Sequence, residues 1–468
     1  MRIVVLFALT LAIPSCSAGQ PALHAEPSHA SMFGDTDVTI TGDFSSLGTI
    51  REVTIGGVRG LDVRATSRSV TVRLQGGPQA GFAEVRIVGD ADAFSDPTAF
   101  SFDASEVPPR WMAFGASLTQ GMQSAGLDAR GQRHGYAAQV ARSAGVFLAP
   151  ALVVDGLLPP MRPAQFAADC AATYDAGAIL NALLAGVTDP ATQAIDLRLG
   201  RMDPTLETHD FAVGGSKVHD VIFGMIGPGH PIEMIGELPD GETESLWTPT
   251  NHPQLDRLRA FDPDVAFSGD LLANDVMPAV GSDDLHPELA TPQADVAAGV
   301  ETIVSTLGAL HGQYFVANLL DVTNMPAVPS LRQRRIDAGQ DTGASFDAKL
   351  DAVRAIEHAY NDALVHSASR FPNVHVIDFA TEGAQVLANG VTVGTTHLTG
   401  ERFGGLLSLD HLHFSDTGYA VMANVFIRAI NLTLHTHVPE VDLEAVLADD
   451  PFSPDNLAKA GVHCATKD

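Results

Sequence analysis

Between residues 30 and 104 apolar and polar positions alternate almost one for one. Val38-Thr-Ile-Thr41, Val53-Thr-Ile55, Val70-Thr-Val-Arg-Leu74 and Ala83-Glu-Val-Arg-Ile-Val88 are short runs of period two, parted by Gly, Pro, Asp and Ser. A period of two sends every second side chain to one face, so each run predicts a strand buried on one side. Seven or so such strands in about 75 residues predict an immunoglobulin-like sandwich over 26–104. The Pro-Pro pair of Ser105-Glu-Val-Pro-Pro-Arg110 predicts a stiff extended link, and after it the period changes. Val265-Ala-Phe267, Tyr314-Phe-Val-Ala317 and Val374-His-Val-Ile377 are short, mostly apolar runs and predict buried strands. Leu350, Val353, Ile356, Tyr360, Ala363 and Leu364 recur at helical spacing. Met422, Val425, Phe426, Ala429 and Ile430 do so at i, i+3, i+4, i+7 and i+8, the apolar stripe of an amphipathic helix. Strands alternating with helices predict a parallel sheet covered on both faces, a three-layer α/β/α domain over 111–438. Residues 150–205 and 228–256 read as loop-rich insertions, and 439–468 as an acidic tail draped on the surface.

The first eighteen residues follow another pattern. Met1-Arg2, the apolar stretch from Ile3 to Ile13, and Ile13-Pro-Ser-Cys16 together read as an export signal. The apolar run is well short of the ~20 residues that a membrane span needs. Its ending resembles a bacterial lipobox, in which Cys16 becomes the lipidated first residue, while Cys16-Ser-Ala18 offers an ordinary signal peptidase a rival site. The expectation is a lipoprotein of the cell envelope, touching the membrane only through Cys16, or otherwise a secreted protein. The chain carries 56 Asp and Glu against 27 Lys and Arg, a formal charge of −29. That field repels nucleic acid and suits a solvated surface. Apart from Cys16 there are only Cys170 and Cys464; an exported protein could pair them, but their spacing does not say whether they meet, and it suits no zinc site.

Three side chains supply the candidate chemistry. Ser117 lies in Trp111-Met-Ala-Phe-Gly-Ala-Ser-Leu-Thr-Gln-Gly121, where an apolar run meets a turn bracketed by glycines. Asp410 and His413 lie in Ser408-Leu-Asp-His-Leu-His-Phe-Ser-Asp-Thr-Gly-Tyr419. A serine hydroxyl becomes a nucleophile when an imidazole takes its proton, and a carboxylate fixes that imidazole's tautomer and steadies its charge. Acid-x-x-His spacing alone is weak: about two are expected by chance, and the chain has three, Glu26 with His29, Asp283 with His286, and Asp410 with His413. Only the third is followed by Gly-Tyr and an amphipathic helix.

On these residues the chain resembles the SGNH/GDSL hydrolases, and Gly404 to Ile427 looks very like a subgroup of GDSL esterases over more than twenty positions. The resemblance implies a three-layer, flavodoxin-like α/β/α domain with a serine, acid and base in the order seen here. It also implies oxyanion donors at the Ser117 N–H, at a glycine of a second block and at an asparagine of a third. His209-Asp-Phe-Ala-Val-Gly-Gly-Ser-Lys-Val-His-Asp220 resembles the second block, with Gly215 the best match and Gly214 next. Leu271-Leu-Ala-Asn-Asp-Val276 resembles the third, with Asn274 as the donor. Two positions depart from the family pattern: Ala116 stands where Gly-Asp-Ser-Leu has its aspartate, and Leu272 where Gly-x-Asn-Asp has its glycine. His411 is read as a pocket wall or as a group that supports the reacting side chains from behind. Val38-Thr-Ile-Thr-Gly-Asp-Phe44 with Val53-Thr-Ile-Gly-Gly57 is similar to IPT/TIG domains, usually spacers or contact modules.

The implied activity is hydrolysis of a small-molecule or lipid ester through an acyl-enzyme, with no metal or organic cofactor. The rival is a binding or adhesion lipoprotein on the same scaffold with decayed catalysis, motivated by the two departures and the IPT/TIG-like module.

Overall fold

The computed structural model describes residues 23–172, 176–193, 197–224 and 253–464. The export segment with Cys16 lies outside them, as does most of the 228–256 insertion. The chain divides into two compact units, the first made of the residues up to Ala30, Thr36–Leu74 and Phe82–Ser101.

The strand-rich region comprises β1 (His24–Glu26), β2 (His29–Ser31), β3 (Asp37–Thr41), β4 (Ile50–Ile55), β5 (Val58–Arg59), β6 (Leu61–Ala65), β7 (Ser69–Arg73), β8 (Gly81–Gly89) and β9 (Ala93–Asp103). They form two sheets, ordered β1-β3-β7-β6 and β2-β9-β8-β4-β5. The alternation seen in the sequence is the alternation of the pleat. Val38, Ile40, Val70 and Val72 on one sheet, and Val53, Ile55, Val85 and Ile87 on the other, are fully buried, while their neighbours face water or lie half-buried.

The second unit holds a parallel sheet of β10 (Trp111–Ala113), β11 (Val265–Ser268), β12 (Gln313–Ala317) and β13 (Val374–Ile377), paired in that order. The segment around Asp210 runs parallel to the free side of β10, with Ala113 N donating to His209 O at 2.9 Å and Phe211 N to Ala113 O at 2.9 Å. Chain order across the sheet is therefore 2-1-3-4-5. In such sheets the crevice beyond the strand ends, where the connections diverge, is the position for a ligand. Here that crevice lies at the C-terminal end of β10, just before Ser117.

Both faces of this sheet are covered, which is why its strands read as apolar runs rather than alternating ones. Trp111, Ala113, Phe267 and Phe315 pack with the helices Tyr136–Ala144 and Asp416–Leu434. Met112, Ala266, Tyr314 and Val316 pack on the other side with Val218–Phe223, Gln254–Phe261, Gln293–Ala309 and Gly343–Ala368. The two apolar stripes in the sequence are the buried faces of Gly343–Ala368 and Asp416–Leu434. The latter is capped by Ser415, whose side chain accepts the Gly418 N–H at 3.0 Å. A small hairpin, β14 (Val391–Val393) with β15 (Thr396–Leu398), stands apart from the sheet.

The C-terminal segment differs from the draped tail its acidity suggested. It forms helices Leu443–Asp449 and Pro454–Lys459, and buries Phe452, Leu457 and Val462 against Met161, Phe166 and Leu409. Cys464 is disulfide-bonded to Cys170, with 5.5 Å between their Cα atoms. Asp450, in the acidic run, is fully buried and accepts the Thr417 N–H at 2.9 Å and the Thr417 hydroxyl at 2.7 Å. Burial, and then the negative Asp416 beside it, push the Asp450 carboxyl up.

Candidate active site

The turn after β10 is built for a tight approach. Gly115 has φ +131°, and a Cβ there would lie 2.5 Å from Asp270 Oδ1 and 2.6 Å from Ser268 Oγ, so no other residue fits. Ser117 opens a one-turn helix, Ser117–Gln120, closed by Gly121 in the left-handed conformation. The turn is gripped by Asp270, which follows β11. Its Oδ1 accepts the Ala116 N–H at 2.9 Å and the Thr119 hydroxyl at 2.6 Å, and its Oδ2 accepts the Leu118 N–H at 2.7 Å. Burial pushes the Asp270 carboxyl up, against the pull of these hydrogen bonds. The N–H groups on both sides of Ser117 are thus spent on Asp270, and among the described residues the Ser117 N–H has no acceptor.

Asp410 and His413 meet within their own loop. Asp410 Oδ2 is 2.6 Å from His413 Nδ1, and Oδ1 accepts the backbone N–H groups of Leu412 and His413, each at 2.9 Å. Burial favours the neutral acid, but the His413 charge and these hydrogen bonds outweigh it and hold Asp410 well below the usual carboxylate range. This loop is tied to the chain that follows Ser117. Ala125 N donates to Asp410 Oδ2 at 2.5 Å, Ser124 N to Ser408 Oγ at 2.8 Å, and Tyr419 OH to Met122 O at 2.6 Å. His413 and Ser117 thus ride on two mutually bonded loops although they are far apart in sequence.

The remaining blocks converge on the same end of the sheet. A Cβ on Gly214 would lie 3.6 Å from Ser117 Cβ, so this loop passes beside Ser117. The Gly214 N–H is occupied by Gln120 Oε1 at 2.9 Å, whereas the Gly215 N–H, at φ +88°, has no acceptor among the described residues. Asn274 Nδ2 donates to Ser216 O at 3.0 Å, and Asp275 Oδ2 accepts the Val218 N–H at 2.9 Å, which lashes the second and third blocks together. Burial pushes the Asp275 carboxyl up. Leu272 has φ −99° and ψ −8°, an ordinary right-handed conformation, so glycine is not needed there.

Ser117, Asn274 and His413 line one cavity, open to solvent. Asp410 sits behind His413. Gly215 is not among the cavity walls, and neither is His411; of the two places expected for His411 the structure excludes the wall, where Leu412 stands. The other acid-x-x-His pairs stay outside. His286 Nε2 is 3.7 Å from Asp283 Oδ1 on an exposed turn, and Glu26 and His29 belong to β1 and β2. Among the described residues no group of three or more His, Cys, Asp or Glu could hold a metal ion, and no helix is long and apolar enough to cross a membrane.

Sequence reasoning missed Asp270, Gln120 and Gln254. Gln254 Oε1 accepts the Gly115 N–H at 2.7 Å, and its Nε2 donates to Gly115 O at 3.0 Å. No local signal marks Asp270, because its partners on the turn lie more than 150 positions away in sequence. No family model matches the chain, and no curated protein matches it.

Proposed function

We propose that this protein is an exported serine ester hydrolase on an SGNH/GDSL-type scaffold. The observation that carries the reading is the Asp410–His413 pair at 2.6 Å, with His413 lining the same cavity as Ser117 and Asn274. The 2-1-3-4-5 sheet order, with Ser117 at its divergence point, supports the same reading.

Asp410 accepts the Nδ1 proton of His413, which leaves Nε2 as the free base. Ser117 Oγ attacks the ester carbonyl carbon as its proton passes to Nε2. The oxyanion that forms takes hydrogen bonds from the Ser117 N–H and the second Nδ2 hydrogen of Asn274, the first being held by Ser216. Collapse breaks the carbon–oxygen bond to the alcohol, which leaves with the proton from Nε2. Water then attacks the acyl-enzyme with His413 again as base, releasing the acid and restoring Ser117. These steps draw only on side chains of this chain, backbone N–H groups and water. The lipobox-like Cys16 supports delivery to the cell envelope.

Labelling by a fluorophosphonate tests the reading. Wild-type protein should be labelled covalently and Ser117→Ala should not. A folded wild-type protein that neither takes label nor turns over an activated ester would favour the decayed binding protein.

A further inference from the structure

The cavity beyond the reacting groups is apolar to an extent the chemistry does not require. Of its polar walls, Ser117, Asn274 and His413 belong to the proposed reaction, and Asp270 is spent on the nucleophile turn. The fifth, Asn318, is also committed: its Nδ2 donates to Asp378 Oδ1 at 3.0 Å and its Oδ1 accepts the Ala380 N–H at 2.6 Å. Apart from Gly269 the other walls are aliphatic, thioether or aromatic, Met277, Leu319, Val322 and Met325 among them. Beyond the second Nδ2 hydrogen of Asn318, a hydroxyl-rich acyl group would find no free side-chain partner among these walls, and desolvating its hydroxyls would oppose binding.

The space also continues. A second, narrower apolar space opens between the helices Phe379–Asn389 and Asp416–Leu434, and shares Leu320, Phe379, Leu387 and Phe414 with the first. Phe379 and Phe414 stand edge to face at the junction, their ring centroids 6.3 Å apart. Glu382 is the one charged wall of the second cavity, and its carboxylate is paired with Arg428 at 3.0 Å. Glycine keeps the junction open. A Cβ on Gly383 would lie 2.9 Å from Leu320 Cδ1.

We propose that the acyl group of the substrate is a long unbranched hydrocarbon chain, so that the substrate is a fatty acyl ester. Its carbonyl lies at Ser117, its first methylenes run along the apolar wall of the main cavity, and its tail passes Phe379 and Phe414 into the second. An acetyl or other short group leaves these walls uncovered, whereas a chain removes them from water one methylene at a time. This rests on the hydrolase reading for the reaction but on the cavity walls for the ligand, so the two can fail separately.

The experiment measures kcat/KM for p-nitrophenyl acetate, butanoate, octanoate, dodecanoate and hexadecanoate at a fixed level of nonionic detergent. In parallel, saturable binding of cis-parinaric acid, a fluorescent fatty acid, is measured on wild type and on Ser117→Ala. Gly383→Ala narrows the junction and Val386→Phe fills the second cavity. The expected result is a rise in kcat/KM with chain length of up to about fourfold per methylene. Both variants should cut the hexadecanoate-to-butanoate ratio at least about tenfold and weaken parinaric acid binding. A maximum at acetate or butanoate without parinaric acid binding overturns the inference and leaves the hydrolase intact. Long-chain preference that neither variant alters overturns the route into the second cavity. Saturable fatty acid binding sensitive to both variants, with no ester turned over, upholds the acyl site and removes the hydrolase reading; absence of both removes both.

Discussion

The Leu118 N–H donates to Asp270 Oδ2 at 2.7 Å across 152 positions of sequence. The same carboxylate holds Ala116 and Thr119, so the whole turn that presents Ser117 hangs on an acid from the end of the neighbouring strand. Ala116 has no polar side chain to offer this turn. Its order comes instead from Asp270, reinforced by the hydrogen bond between the Thr119 hydroxyl and Tyr136 OH at 2.8 Å.

Asp270→Asn should therefore lower activity although Asp270 is outside the triad. An amide has one acceptor oxygen where the carboxylate has two, so a buried N–H loses its partner at a cost of about 1–3 kcal/mol. A slight displacement of Ser117 can cost on the order of 10²-fold in kcat. Steady-state kinetics should show kcat falling more than KM rises, with Asp270→Ala worse and less stable to urea. A folded Asp270→Asn enzyme with undiminished kcat would leave the turn ordered by other groups.

Within the proposed machinery the losses should be unequal. Ser117→Ala and His413→Ala should each fall to a residual rate set by the oxyanion donors, and the double variant should be little worse, because the two act as a unit. Asp410→Asn keeps the base but disturbs its tautomer and the stabilisation of its charge, and should cost on the order of 10⁴ in kcat. Asn274→Ala should cost about 10²–10³. His286→Ala, on an exposed turn outside the cavity, should be near neutral. Single-turnover rates on a soluble ester check the order, and loss of turnover in His286→Ala with His413→Ala active would move the base to the other acid-x-x-His pair.

What could be read from the sequence followed from local periodicity. Val38 to Leu74 shows the pleat directly, and the stripe from Met422 to Ile430 is the buried face of one helix. The Asp410–His413 pair was legible because its partners are three residues apart and the context around them is distinctive. Asp270 was not, since its bonds to residues 116–119 depend on two strands being neighbours, which no window of sequence contains. The C-terminal segment misled for another reason. Asp449-Asp450 looks solvated, yet Asp450 is buried because Thr417 gives it two donors. The disulfide was left open by spacing and depends on the fold bringing positions 170 and 464 together.

That disulfide predicts a local stability effect. It closes a loop spanning 294 positions and fastens the segment that packs on Leu409, the neighbour of Asp410. Cys170→Ser should destabilise the folded protein by about 2–4 kcal/mol, and Cys170→Ser/Cys464→Ser should be no worse than either single variant. Hydrogen exchange should accelerate first in the helices Leu443–Asp449 and Pro454–Lys459. Two free thiols titrated in oxidised, folded, Cys16→Ser protein would remove the premise.

The pH dependence of stability should carry the mark of Glu357. This residue is buried on the helix Gly343–Ala368, and its Oε1 accepts the Val322 N–H at 3.0 Å. Burial first, then the charge of Asp321 and the hydrogen bond shared with it, push its carboxyl up to about 9. In the unfolded chain the same group titrates near 4.3, so across the interval between the two values the folded state holds a proton that the unfolded state has released. Its contribution to stability is fully present below about pH 4.3 and is lost progressively as pH rises toward about 9. Glu357→Gln keeps the shape and cannot ionise. Urea midpoints of the two proteins should therefore lie close together near pH 4 and separate as pH rises, with the variant the more stable at about pH 8–9. Val322 lines the reaction cavity, so KM for a long-chain ester should also climb with pH in wild type more than in Glu357→Gln. Parallel urea midpoints across this interval would show that Glu357 is ionised in the folded protein.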